Sequence, residues 1–332
     1  MEKFPLSQKE SGINRVVGFD SGKEDEFLEY FKGKFEDNTT DVKEKEKTPE
    51  QQQLIERINH EMHDFLAQYG LDSIVVPAEN VHVLDKTKFT EEELKKIQQQ
   101  FGTENGFYYA LKQGVAIMKD YNTSKLSFMQ TLVHELLHLQ GFYSYQKSEP
   151  EGADLTLKKQ NDSVSMNIRR SGFSIGTTDG KRLLFHKLNE SVITELEIRF
   201  ERAYMMQWPE LESELQARDN YIEQVAKRDS VSIERVKQTV AGIKGDEVSG
   251  YKWVSYPYHK ERLQFNSLVD SLYEKNKGDF ESREDVFKLF AEATLNGRLL
   301  PIARLIEKTY GKGSFRMIGE RSADKPDRDG SI

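Results

Sequence analysis

An α+β fold is predicted for this chain, with a small mixed or antiparallel sheet packed on one central helix and a mostly helical C-terminal portion. Three observations carry that expectation. Short apolar runs at 81–84, 107–111 and 114–118 read as strands, the last two paired about a turn at 112–114. A helix follows in which Leu126, Met129, Leu132, Val133 and Leu136 recur at helical spacing and define a buried stripe. From Leu188 the apolar pattern keeps the helical period nearly to the C-terminus.

The elements follow in order. Residues 1–48 are polar and charged and read as an arm, with one apolar cluster (Phe27, Leu28, Tyr30, Phe31, Phe35) compatible with a single marginal helix. Thr48 caps a helix with Pro49 in its first turn, Leu54, Ile55, Ile58, Met62, Phe65 and Leu66 form its inner face, and Gly70 ends it. His60 and His63 on this helix belong to a solvated face. Glu91, Glu92 and Glu93 open a second, short helix, where the helix dipole favours acids. The strand at 114–119 is read as a candidate sheet edge. Thr123 or Ser124 caps the next helix, and Gly141 closes it. Strands are expected at 163–176 and 182–186, on either side of a turn at 177–180. Helices are expected near 189–206, 210–240, 257–275, 283–296 and 299–310, and a disordered tail at 321–332. The resulting division is an arm (1–48), a core (49–206), a helical C-terminal portion completing a cleft (207–320) and the tail.

Composition narrows the function. The 332 residues carry 48 Lys and Arg against 56 Asp and Glu, a formal charge of −8, with the two signs interspersed. No basic stripe is present, which argues against a nucleic-acid partner. Cysteine is absent, which removes disulfides, thiolate metal sites and thiol catalysis, and leaves His, Asp and Glu as the metal ligands on offer. The N-terminal segment MEKFPLSQKESGINRVV has no apolar signal region, and no apolar run reaches bilayer length, so a cytoplasmic chain without a membrane partner is expected.

The chemistry concentrates in His134-Glu135-Leu136-Leu137-His138, an HExxH pattern inside a predicted helix. Residues four apart share a helix face, so both histidines can ligate one metal ion, while Glu135 sits beside it as a candidate general base for a metal-held water. A catalytic zinc takes three protein ligands and leaves one position open. The extended pattern HExxHxxGxxH fails at its last residue, because Ser144 stands where a third histidine belongs. A carboxylate from a second helix is the alternative, and LNESVITE opens one at Leu188.

HELLH followed by LNESVITE resembles the gluzincin zinc metallopeptidases over roughly residues 80–200. That resemblance implies a zincin-like catalytic core at 49–206, one zinc ion held by His134, His138 and Glu190, Glu135 as general base, and a peptide or protein substrate. In that family an acidic residue one turn after the ligand glutamate supports a ligand histidine, but here Thr194 occupies that place and Glu195 follows it. Either residue is a candidate outer partner, and a shifted register would make Glu195 itself the ligand. Asn189 is expected to cap the helix or bond near the site. The segment VSYPYHKERL offers Tyr256, Tyr258 and His259 as donors to the oxyanion, and His186 lies one turn before Glu190. The altered spacing after Glu190 also keeps open a zinc-binding protein, derived from a peptidase, that acts as an interaction module without cleaving peptides.

Overall fold

The computed structural model describes residues 13–17, 44–101, 105–109, 113–148, 156–159, 162–177, 182–244 and 252–323. The expected helix at Phe27–Phe35, the turn residues 178–180 and the tail beyond 323 lie outside these residues. Within the expected arm, strand β1 (Ile13–Val17) pairs in parallel with Tyr143–Ser148.

Helix α1 (Pro49–Ala67) begins as expected: the Thr48 hydroxyl accepts from the Gln51 backbone, and the Gln51 side chain accepts from the Thr48 backbone in return. Strand β2 (Val81–Val83), helix α2 (Glu91–Phe101), strand β3 (Gly106–Tyr109) and strand β4 (Gly114–Ile117) follow. The three strands form one mixed sheet in the order β2-β4-β3. Val81 and Val83 of β2 align in parallel with Val115 and Ile117, whereas Gly106 to Tyr109 of β3 run antiparallel to β4. The strand just before the HELLH helix is therefore central, not the edge expected from sequence. Its four residues are all buried, and among the described residues the edge role falls to β3.

Helix α3 (Lys125–Leu139) carries HELLH across this sheet. Ser124, of the two candidate caps, accepts from the Ser127 backbone, and the Gly141 N–H bonds the His138 carbonyl at the other end. Twelve of its 15 residues are buried, which explains why an apolar stripe alone underdescribed it. Gly106 of β3 lies so close to α3 that a Cβ there would stand 2.5 Å from Thr131 Cγ2. The sheet and the metal-type helix are thus in direct contact at the residue where no side chain intervenes.

Strands β5 (Tyr143–Ser148), β6 (Thr156–Lys159), β7 (Asp162–Ser171), β8 (Ser174–Gly176) and β9 (Leu183–Leu184) form a second sheet with β1 at its edge. Helix α4 (His186–Ala203) then runs back past α3. It starts three residues earlier than expected, with Phe185 in the left-handed region at φ 61° and no side-chain cap. Asn189 therefore lies inside the helix. Its Oδ1 accepts from the Phe173 backbone at 2.8 Å, and it packs so tightly under Gly172 (φ 56°) that a Cβ there would meet Oδ1 at 2.3 Å. The turn joining β7 to β8 is fastened to α4 by this one amide.

The expected helix at 210–240 divides. Helix α5 (Glu212–Asp229) ends where Ser230 turns left-handed, a short α6 (Ile233–Lys237) follows, and β10 (Val240–Lys244) pairs antiparallel with β11 (Lys252–Ser255). The helical period of Ile222, Val225 and Ala226 continued into Val236 and Val240 by chance; these five residues close a small core of their own across the break. Helices α7 (His259–Lys275), α8 (Arg283–Leu295), α9 (Leu299–Tyr310) and α10 (Ser314–Arg321) complete the fold. One hydrophobic cluster joins α1, α3, α4, α7, α8 and α9, so the expected core at 49–206 and the helical portion after it share a single interior. The fold is α+β. Among the described residues no helix is long and apolar enough to cross a membrane.

Candidate metal centre

Two helices build the site. His134 and His138 lie one turn apart on α3, and Glu190 enters from the first turn and a half of α4. All three are buried, at 8%, 5% and 6% exposure, so their polar atoms must find partners within the protein. They find each other. The two imidazole Nε2 atoms are 3.2 Å apart, and Glu190 Oε2 lies 3.2 Å from His138 Nε2 and 3.6 Å from His134 Nε2. Ligands at zinc–nitrogen distances in a tetrahedron would be separated by about 3.3 Å, so the donor set has the spacing and chemistry of a His/His/Glu metal site.

The ring orientations are fixed from behind. His134 Nδ1 donates to Glu197 Oε2 at 2.9 Å, which directs Nε2 at the cluster. The His138 ring is stacked on Tyr108 of β3 with centroids 4.8 Å apart, and its carbonyl accepts from the Tyr143 hydroxyl at 2.9 Å. Tyr108 in turn reaches Ser171 of β7 at 3.3 Å, so both sheets brace the second histidine.

Burial and close opposite charges shift these groups strongly. Burial opposes charge on His134, but the Glu190 and Glu197 carboxylates outweigh it and hold the imidazole well above its usual value. Burial likewise opposes charge on Glu190, yet His138 and His134 keep it well below the usual carboxylate range. Burial pushes the Glu197 carboxyl up, with His134 working against that rise. Glu135 is pushed up to about 7, chiefly by burial; His134 opposes the shift and the charges of Glu190 and Glu197 add to it. Three buried carboxylates and two imidazoles thus crowd one small volume.

Not every expected residue joins them. The acidic partner of His134 is Glu197, not Thr194 or Glu195. Helical geometry gives the reason: two turns separate Glu190 from Glu197 and bring them to one face, whereas a five-residue step turns Glu195 to the far side. There Glu195 accepts from Arg262 at 2.8 Å, Asn266 at 3.0 Å and Arg199 at 3.2 Å, so it is neither ligand nor outer partner. The Thr194 hydroxyl is fully buried and has no hydrogen-bond partner among the described residues. Of the VSYPYHKERL candidates, Tyr256 is drawn away to Glu201. Tyr258 stands edge-on to His186 with centroids 6.3 Å apart, and His186 Nδ1 lies 3.8 Å from Glu190 Oε1. His259 is the first residue of α7, one position further on. Sequence reasoning passed over Glu197, although its seven-residue step from Glu190 was there to be counted.

In comparisons the chain matched no family model, no curated protein and no solved structure.

Proposed function

We propose that the chain is a zinc-dependent metallopeptidase of the gluzincin type with a zincin-like core. The observation that carries this reading is the convergence of Glu190, from a second helix, on the two HELLH imidazoles, with Glu197 orienting His134. His134, His138 and Glu190 would hold the ion; when bound, zinc supplies Lewis acidity that acidifies a water to a pKa of about 7 and polarises a carbonyl.

The remaining tasks fall to the protein. Glu135, buried next to His134 on the same helix, is placed to take a proton from water and return it to a leaving amine. His186 and Tyr258, on the Glu190 side, are the nearby donors suited to a developing oxyanion. The edge strand β3, pressed against α3 at Gly106, offers an extended peptide backbone hydrogen bonds beside His138.

The test is cleavage of a mixed peptide library by zinc-loaded wild type and Glu135→Gln, followed by mass spectrometry. Wild type is expected to cleave, and the variant to retain zinc while losing roughly 10²–10⁴-fold in rate. Equal rates would remove Glu135 as the base. Zinc binding without any cleavage would favour the interaction-module reading instead.

A further inference from the structure

We propose that Gln130, Glu201, Arg218 and Tyr256 form a positioning cluster that fixes the axial register of α4 on α3, and through it the convergence of Glu190 on the two histidines. The zinc part of the argument rests on the metal-centre reading above.

The cluster continues a pattern already present at the site. On α3, Gln130, His134 and His138 follow one another at single turns; on α4, Glu190, Glu197 and Glu201 share the facing side. Three polar pairs connect them as the helices run antiparallel: His138 with Glu190 at 3.2 Å, His134 with Glu197 at 2.9 Å, and Gln130 Nε2 with Glu201 Oε2 at 2.7 Å. The third pair is anchored outside the two helices. Arg218 of α5 donates to Glu201 Oε1 at 2.5 Å, and the Tyr256 hydroxyl, just after β11, donates to Oε2 at 3.0 Å. Gln130 also donates to the Ala241 carbonyl of β10 at 2.9 Å, and Arg218 reaches the same carbonyl at 3.3 Å.

All four side chains are at most 7% exposed. A buried ion pair is a weak source of stability, since apolar residues of the same volume commonly serve as well. What such a cluster does supply is a single arrangement. Apolar helix faces tolerate small slides, but moving α4 by one residue shifts it by about 1.5 Å and breaks every bond to Glu201 together. The same slide would carry Glu190 and Glu197 off the histidines. Neither Glu201 nor Arg218 touches the triad, so they act by holding the helix that does.

The decisive comparison is wild type against the apolar variant Gln130→Leu/Glu201→Leu/Arg218→Met/Tyr256→Phe, which leaves no charge unbalanced. Circular dichroism first establishes that the variant folds. Zinc affinity, by competition with a chromophoric chelator, is expected to fall by roughly 10–100-fold, with a changed visible spectrum for the cobalt-substituted protein. In the zinc-free proteins, the His134 Nδ1 proton bonded to Glu197 should give a slowly exchanging NMR signal in wild type and lose it in the variant. A folded variant that keeps both the His134 signal and wild-type zinc affinity overturns the proposal. The NMR comparison decides the positioning role even if wild type takes up no zinc, an outcome that would sink only the metallopeptidase reading. Should the fourfold variant fail to fold, Glu201→Gln replaces it with the same two readouts and the same criterion.

Discussion

On one side of α4, Glu190 and Glu197 face the imidazoles of α3; on the other, Glu195 is enclosed by Arg262, Arg199 and Asn266, with Arg199 passing the contact on to Glu284 of α8 at 2.6 Å. All three carboxylates are buried. The difference lies in what neutralises them. Glu195 is held below the ordinary carboxylate range because its bonds to Asn266 and the two guanidinium charges overcome burial, so its charge is already balanced within the protein. Glu190 has no hydrogen-bonded arginine among the described residues; His138 and His134 overcome its burial, with His186 adding from 3.8 Å. A buried carboxylate answered by arginine ties helices together, whereas one answered by histidine can exchange its proton partner for a metal ion.

That contrast can be broken experimentally, and the largest effect is expected at the ligand. Glu190→Ala should abolish stoichiometric zinc in equilibrium dialysis while leaving the fold intact; retained zinc would move the metal elsewhere. Glu195→Leu should do the reverse. It strands Arg262, itself 2% exposed, and is expected to cost about 3–5 kcal/mol in chemical denaturation, with zinc affinity per folded molecule unchanged. Glu197→Gln stands between them: a loss of roughly 10–100-fold in zinc affinity is expected, because His134 loses the carboxylate that orients it.

A separate readout is the pH dependence of stability in the zinc-free protein. Glu135 binds its proton more tightly when folded, with its carboxyl raised from 4.5 to about 7. Between those values the unfolded chain has released the proton and the folded one has not, so stability falls as pH rises through that window. The raised His134 works in the same direction, its contribution being complete below its ordinary value and lost as pH climbs through the raised one. Glu135→Gln should flatten part of the slope, by up to about 3 kcal/mol between pH 4 and 8. A denaturation midpoint in the variant that falls with pH as steeply as in wild type would place Glu135 in a less buried setting than the one described.

Several elements were legible because their cause is local. The Thr48 cap, the period of α1 and the HELLH spacing are all written within one or two turns of chain. Glu190 was reached through the resemblance of LNESVITE to the Asn-Glu helix of the gluzincins, although the helix itself begins earlier, at His186. The β10–β11 hairpin was not, since alternation over four or five residues is hidden when a helical period happens to continue across it. The edge strand was misplaced for a similar reason: sequence order put β4 beside α3, but only pairing with β2 on one flank and β3 on the other shows which strand is central.

The sequence by itself determined that two histidines and a glutamate lie within about one turn of a helix, because a 3.6-residue period leaves them no other arrangement. It did not determine which carboxylate of α4 meets them. Glu190, Glu195, Glu197 and Glu201 are chemically alike and close in the chain, and their fates depend on the rotation and axial position of α4 against α3, α5 and α7. Those are set by side chains more than 60 positions away, among them Gln130 (71 from Glu201), Arg262 (67 from Glu195) and His134 (63 from Glu197). Helical spacing fixes which residues share a face, and packing alone decides what that face meets.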